Sequence, residues 1–183
     1  MIATLRLGLL LVLLFAAMAG GPVAAQTGGG RASSDGIEAS ARKIGPSGLA
    51  LPRFVTLRAA KVNLRTGPGI RYPIEWVYAR KGLPLEVIDE FETWRRVRDW
   101  QGSVGWVHQS MLSRRRGAMI LGEQRLLRRA PGDGAAGVAR VEAGVVGSLR
   151  RCAGGWCWIE VKGFEGWLRQ DQIYGAYPDE IVE

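Results

Sequence analysis

Two cysteines, one histidine and seven tryptophans are the residues of this 183-residue chain with the most obvious chemical potential. Cys152 and Cys157 flank Ala-Gly-Gly-Trp. A four-residue spacer suits a tight hairpin that sets the two side chains opposite each other on paired strands. Facing positions in a non-hydrogen-bonded pair come within disulfide reach. So short a loop would add about 2 kcal/mol in the chain-entropy view. The spacing does not suit a C-x-x-C redox pair, and His108 is distant in sequence, so no metal site is expected. Asp89, Glu90, Glu92 and Asp99 are not spaced as an acid/base pair, and Ser110 and Ser113 lack a base with its orienting partner. The expectation is a protein that is not an enzyme and carries no cofactor. Binding through aromatic side chains is the remaining chemistry.

The elements that must position those aromatics are short strands. From Phe54 onward, VTLRAAKVNLR, LPLEVIDEF, WRRVRDW and VGWVHQ are rich in β-branched and aromatic residues and are separated by Gly and Pro turns. No amphipathic helix interrupts them, so the chain reads as all-β, in small barrels or sandwiches. The phrase WRRVRDWQGSVGWVHQ at 94–109 returns as WCWIEVKGFEGWLRQ at 156–170. Leu64-Arg65 with Pro68-Gly69 returns as Leu127-Arg128 with Pro131-Gly132, and Gly82 returns as Gly144. The offset falls from 63 to 61 residues along the unit. Two copies of one unit of about 60 residues explain this, near the lower size limit for independent folding.

The repeated positions have physical uses. Pro-Gly suits a type II turn with Gly at positive φ. Gly102 and Gly163 fall at hairpin tips, and Gly105 and Gly166 at crowded or bulged strand positions. Val97, Val107, Ile159 and Leu168 are expected to point inward. Arg65 persists as Arg128, which suggests a structural hydrogen bond or ion pair.

The N-terminus reads differently. Arg6 precedes LGLLLVLLFAAMA, then Gly-Gly-Pro and VAAQ. This is the pattern of a secretory signal peptide cleaved after Ala25. The apolar run is shorter than the roughly 20 residues of a membrane span. Residues 26–53 are rich in Gly, Ser and Ala and are expected to form a flexible tether. The expected location is exported, in an oxidising compartment where a disulfide persists. The formal net charge is +8. Residues 54–113 carry nine basic against six acidic residues, and 117–183 eight against nine. Arg114, Arg115 and Arg116 lie between them, as a basic linker expected over 114–117. Export disfavours nucleic acid, whereas these arginines could touch an anionic envelope polymer or lipid headgroups, with peripheral membrane contact possible. A solvated linker is the competing reading.

The set N-x-R-x-G-P-G, K-G-L-P, W-x-x-V and G-W-V resembles the bacterial Src-homology-3 domain, of the type found in exported alphaproteobacterial proteins. LLRRAPGDGAAGVARVEAGVVGSLRRCAGGWCWIEVKGFEGWLRQDQI is similar to a more diverged member. The resemblance implies two tandem, partly open five-stranded barrels, at 54–113 and 118–177, followed by a tail at 178–183. It also implies a binding module for cell-wall peptides, or a targeting module appended to wall enzymes. Trp94 falls where the proline-binding version has its ligand-contacting tryptophan. His108 stands at the place of its groove proline and Met111 at that of its tyrosine, which argues against polyproline recognition.

The candidate ligand-binding set is therefore Asn63, Tyr72, Trp76, Tyr78 and Trp94. Trp76 and Tyr78 share a side if the stretch is extended, and with Trp94 could line a shallow groove for a sugar-peptide or extended peptide. Trp76 aligns with Val138, so a core role competes. Trp106 and Trp167 read as barrel closure, and Trp100 as an exposed hairpin tip. Asn63 becomes Leu126 in the second copy, so the fold alone does not require it. The expected partner is peptidoglycan. The alternative is an envelope protein, with the chain as an adaptor that docks an envelope enzyme or membrane protein.

Overall fold

Alternation of apolar and polar residues decides which way each strand faces. In Val62-Asn63-Leu64-Arg65, the two aliphatic residues are buried and the two polar ones half-buried. The computed structural model describes residues 43–183. The leader expected over 1–25 and the tether up to residue 42 lie outside the described residues.

A small hairpin pairs β1 (Lys43–Ile44) with β2 (Ala50–Leu51). The first barrel comprises β3 (Arg53–Leu57), β4 (Val62–Arg65), β5 (Ile74–Tyr78), β6 (Pro84–Phe91), β7 (Trp94–Arg98), β8 (Val104–His108) and β9 (Leu112–Ser113). The second comprises β10 (Gly117–Ile120), β11 (Arg125–Arg128), β12 (Gly137–Val141), β13 (Val146–Ala153), β14 (Trp156–Val161), β15 (Phe164–Arg169) and β16 (Ile173–Tyr174). The sheet orders are β5-β4-β8-β7-β6-β3-β9 and β12-β11-β15-β14-β13-β10-β16, the same topology twice. Five strands build each barrel, and the long first loop adds a two-stranded hairpin. Both copies break register at equivalent places, between Val87 and Asp89 and between Leu149 and Arg151. An extra residue there bends the strand, which lets one sheet curl around its own core.

The repeated glycines sort by cause. Gly102 and Gly163 lie at φ 88° and 84°, as hairpin tips require. Gly105 answers to space instead: a Cβ there would meet Leu64 Cγ at 2.5 Å. The two Pro-Gly turns differ. Gly132 has φ 129°, while Gly69 is not in the left-handed region. In the first copy the tight position is Gly67, where a Cβ would lie 2.4 Å from the Tyr72 ring. Cys152 faces Cys157 across the β13–β14 hairpin, bridged by a disulfide at a Cα separation of 4.1 Å.

The two barrels share buried surface. All four residues of β10 are buried. Ala118 and Ile120 point into the second core, while Met119, on the opposite face, belongs to the first, with Leu121, Val146 and Tyr174 packed against it. Around this strand, Phe54 meets Tyr174 edge-on at 5.1 Å and Tyr177 at 4.7 Å. The Tyr174 hydroxyl donates to the Arg98 carbonyl, and the Tyr177 hydroxyl to Glu86 Oε1. Burial, with the Glu86 carboxylate nearby, pushes the Tyr174 phenol well above its usual range.

Three sequence boundaries shift as a result. The expected tether 26–53 is folded from Lys43: the Ser47 N–H and hydroxyl both donate to Glu90 at 2.8 Å, and Leu51 enters the first core. The expected linker 114–117 is built in, because Gly117 opens β10 and the Thr56 hydroxyl donates to the Arg115 carbonyl. The expected tail 178–183 is also integrated: Val182 exchanges two backbone hydrogen bonds with Cys152, at 2.9 and 3.1 Å.

Candidate functional site

The groove that brings predicted residues together lies on the first barrel. Period two along β4 turns Asn63 and Arg65 away from the core. Trp94 opens β7 and pairs directly with His108, the last residue of β8. Their rings meet edge-on at 5.3 Å. His108 also caps the 3-10 turn Gln109–Met111, with Nδ1 2.8 Å from the Ser110 hydroxyl. Asn63, Ile70, Trp94, His108, Ser110 and Met111 line a shallow groove of about 410 Å³, flanked by Lys61 and Arg65. The Arg65 guanidinium is occupied, donating to the Ile70 and Tyr72 carbonyls at 3.0 and 2.7 Å. Arg128 repeats this with the Ala135 carbonyl, so the persistent arginine fastens the long loop in both copies.

This site offers an aromatic wall, an amide, an imidazole and a hydroxyl over an apolar base. That is the chemistry of peptide binding: stacking and apolar contact for affinity, and a few polar groups for orientation. Among the described residues, no cluster of His, Cys, Asp and Glu could hold a metal.

The other predicted residues lie elsewhere. Tyr72 covers the turn glycines Gly67 and Gly69, with the Arg71 guanidinium 5.4 Å from its ring. Its task is to hold the turn. Trp76 is 58% exposed, so the competing core reading fails, but it belongs to a different cleft of about 430 Å³ shared with Trp100, Leu83 and Met119. Tyr78 is only 2% exposed and sits beneath that second cleft. Its hydroxyl donates to Asp99 Oδ2 at 3.0 Å, while Asp99 Oδ1 accepts the N–H groups of Gln101 and Ser103. Burial, reinforced by the Asp99 carboxylate, raises the Tyr78 phenol far above its ordinary value. Tyr78 is thus a strut for the β7–β8 hairpin rather than a ligand contact. Tyr78→Phe should cost about 1.5–3 kcal/mol, as for a hydrogen bond to a charged group, leaving groove binding unchanged. Denaturant melts beside a ligand titration check both halves.

The arginine run divides too. Arg114 and Arg115 are exposed. Arg116 is not available to an external anion, because it forms a bidentate pair with Glu180 at 2.8 and 2.9 Å and donates to the Gly175 carbonyl. Of the expected closure tryptophans, Trp167 is buried and Trp106 half-buried.

Ile70 escaped the sequence reading, although an isoleucine directly after a Gly-Pro-Gly turn, here 83% exposed, is the kind of apolar residue that signals contact. The second barrel treats the same place differently. Asp133 stands at the position of Ile70 and Arg169 at that of His108, and the two form an ion pair at 3.3 Å across the corresponding groove. Asp171 adds a second contact to Arg169 at 3.5 Å. The two barrels therefore share a fold but differ in the side chains at this groove.

The family model for the bacterial SH3 domain matches residues 58–114 and 122–175. The chain belongs to the bacterial SH3 domain family, as a tandem of two copies. No curated protein matches it significantly. Among solved structures it is similar to NlpC2 of Trichomonas vaginalis, at 12% identity and TM-score 0.31, over 67% of this chain and 48% of that one. NlpC1 of Trichomonas vaginalis gives 12% and 0.32, over 72% and 48%. An NLPC/P60 family protein of Bacillus cereus ATCC 10987 gives 12% and 0.31, over 66% and 55%. The chain thus spans about half the length of each.

Proposed function

We propose that this protein is a non-catalytic binding module of the bacterial envelope, exported to the periplasm, whose first barrel takes an extended peptide of peptidoglycan. The observation that carries the reading is the convergence of Asn63, Trp94 and His108 on one open groove, at a place the second barrel spans with an ion pair. Membership of the bacterial SH3 family supports a wall-related role. In this reading Trp94 is the anchor, Asn63 and Ser110 orient the peptide backbone, and Ile70 and Met111 supply apolar contact. The second barrel braces the first.

The test is a calorimetric titration of the full chain with soluble wall stem peptides. Trp94→Ala should weaken binding about thirtyfold, the effect of losing a hot spot of roughly 2 kcal/mol, and Asn63→Ala should weaken it less. Melting temperatures should stay near the parent value. A collapse in stability on Trp94→Ala would make Trp94 a core residue and remove the groove from consideration.

One observation favours a second reading, a protein adaptor. Trp76 and Trp100 leave an apolar cleft open to solvent. Cross-linking that recovers one reproducible envelope protein, lost on Trp76→Ala and unaffected by Trp94→Ala, would select the adaptor.

A further inference from the structure

A cleft of about 650 Å³ opens at the seam, lined by residues of both barrels and of the segment between them. Arg58 and Lys81 reach it from the first barrel, Arg115 from the connection, and Lys162 from the β14–β15 hairpin. All four are exposed, and none is ion-paired among the described residues. This sets them apart from seven other arginines, namely 53, 95, 98, 116, 125, 150 and 169, each of which holds a carboxylate. The cleft has one acid, Glu160, already paired with Arg150, and Arg116 within it is paired with Glu180. The unbalanced charge facing the cleft is therefore four positive groups.

The backbone at or beside three of these groups is held by hydrogen bonds. The Arg58 N–H donates to the Met111 carbonyl at 2.8 Å, and the Arg115 carbonyl accepts from Thr56 at 3.1 Å. Lys81 precedes Gly82, whose N–H donates to the Leu57 carbonyl at 2.8 Å. The glycine seam lets the barrels close on each other, since a Cβ on Gly117 would meet the Gly82 carbonyl oxygen at 2.7 Å. Like charges held together on a rigid base repel one another, and a bound anion relieves that repulsion without ordering the site first.

We propose that this seam cleft is a binding site for a compact anion carrying two adjoining phosphate groups. Charge selects that class: four positive groups line one cleft, and a compact anion must bring several negative charges to balance them. Two carboxylates bring about two negative charges, whereas a phosphate monoester alone brings roughly 1.5 to 2 near neutral pH. Arginine forks match phosphate oxygens bidentately, and lysines add point charges. The site shares none of its four cations with the Trp94 groove, so it stands or falls separately from the peptide reading.

The test is calorimetric titration of the full chain with pyrophosphate, inorganic phosphate and succinate at low salt. Pyrophosphate should bind saturably at one site, at least tenfold more tightly than either of the others. Lys81→Gln with Lys162→Gln should weaken it at least tenfold, and Arg58→Gln with Arg115→Gln should do the same. Arg71→Gln with Arg96→Gln, which removes equal charge away from the cleft, should change it less than twofold. The proposal is overturned by absence of saturable pyrophosphate binding, by succinate binding as tightly, or by the distant pair weakening binding as much as the cleft pairs.

Discussion

Glu90→Ala should destabilise the protein by about 3–5 kcal/mol, the cost of breaking a buried ion pair from one side. The Glu90 side chain is 1% exposed and serves several partners. Arg53 reaches it at 2.6 Å and Arg95 at 3.1 Å, and Ser47 donates from both its N–H and its hydroxyl. Truncation leaves two largely buried guanidinium groups and one backbone N–H without this acceptor. It also releases the β1–β2 hairpin, which Glu90 ties to the barrel. Denaturant melts give the energy, and faster proteolysis around residues 45–50 would report the released hairpin.

The same contact sets a pH dependence. Burial alone would raise the Glu90 carboxyl, but hydrogen bonds from Ser47 and Arg53, and the Arg53 charge, outweigh it and hold it below its ordinary 4.5. A group with a depressed folded-state pKa stabilises fully above its unfolded value, and that stability is lost as pH falls through the folded value. The parent should therefore lose stability on acidification below about pH 4.5 by more than Glu90→Ala does. Parallel melts from pH 7 to pH 3 read the difference. Equal slopes would contradict the contact.

The second large effect concerns the seam. Met119→Ala should cost about 2–5 kcal/mol, the range for emptying a buried methionine site. Met119 is 3% exposed, and it lies on the second barrel's first strand while packing in the first barrel's core. The parent should unfold in one cooperative transition, because the first core is incomplete without Met119 of the second barrel. In Met119→Ala the transition should move to lower denaturant and broaden as the barrels begin to uncouple. An unchanged midpoint would mean that the Met119 side chain does not hold the two barrels together.

What the sequence made legible was local. The repeat, the strand alternation, the Cys152–Cys157 hairpin and the positive φ of Gly102 and Gly163 follow from spacing within a few residues. Asn63 and Trp94, singled out by the Pro-Gly turn beside Asn63 and by the family resemblance at Trp94, line one shallow groove in the fold. Trp76 and Tyr78 were correctly placed on one side of β5, yet they differ in burial because distant parts of the chain cover only one of them. Asp99 and the β7–β8 hairpin reach Tyr78, while Trp76 stays open. The folded stretch at 43–51 was hidden for a similar reason: its partner, Glu90, is 43 residues away from Ser47. Gly-Ala-Met-Ile reads as an apolar run, and only the packed fold reveals that its two faces serve two barrels. Arg116 looked like one of three equivalent arginines until Glu180, 64 residues on, paired with it.

The central claim is that the Trp94 groove recognises peptidoglycan. The most direct measurement is co-sedimentation of the full chain with purified peptidoglycan sacculi across a salt series, beside Trp94→Ala. The protein should pellet at low and high salt, because a groove built on aromatic contact is little screened. Trp94→Ala should remain largely in the supernatant with its melting temperature kept. A parent protein that stays in the supernatant at every salt concentration, or a Trp94→Ala variant that pellets as fully as the parent, would contradict the claim.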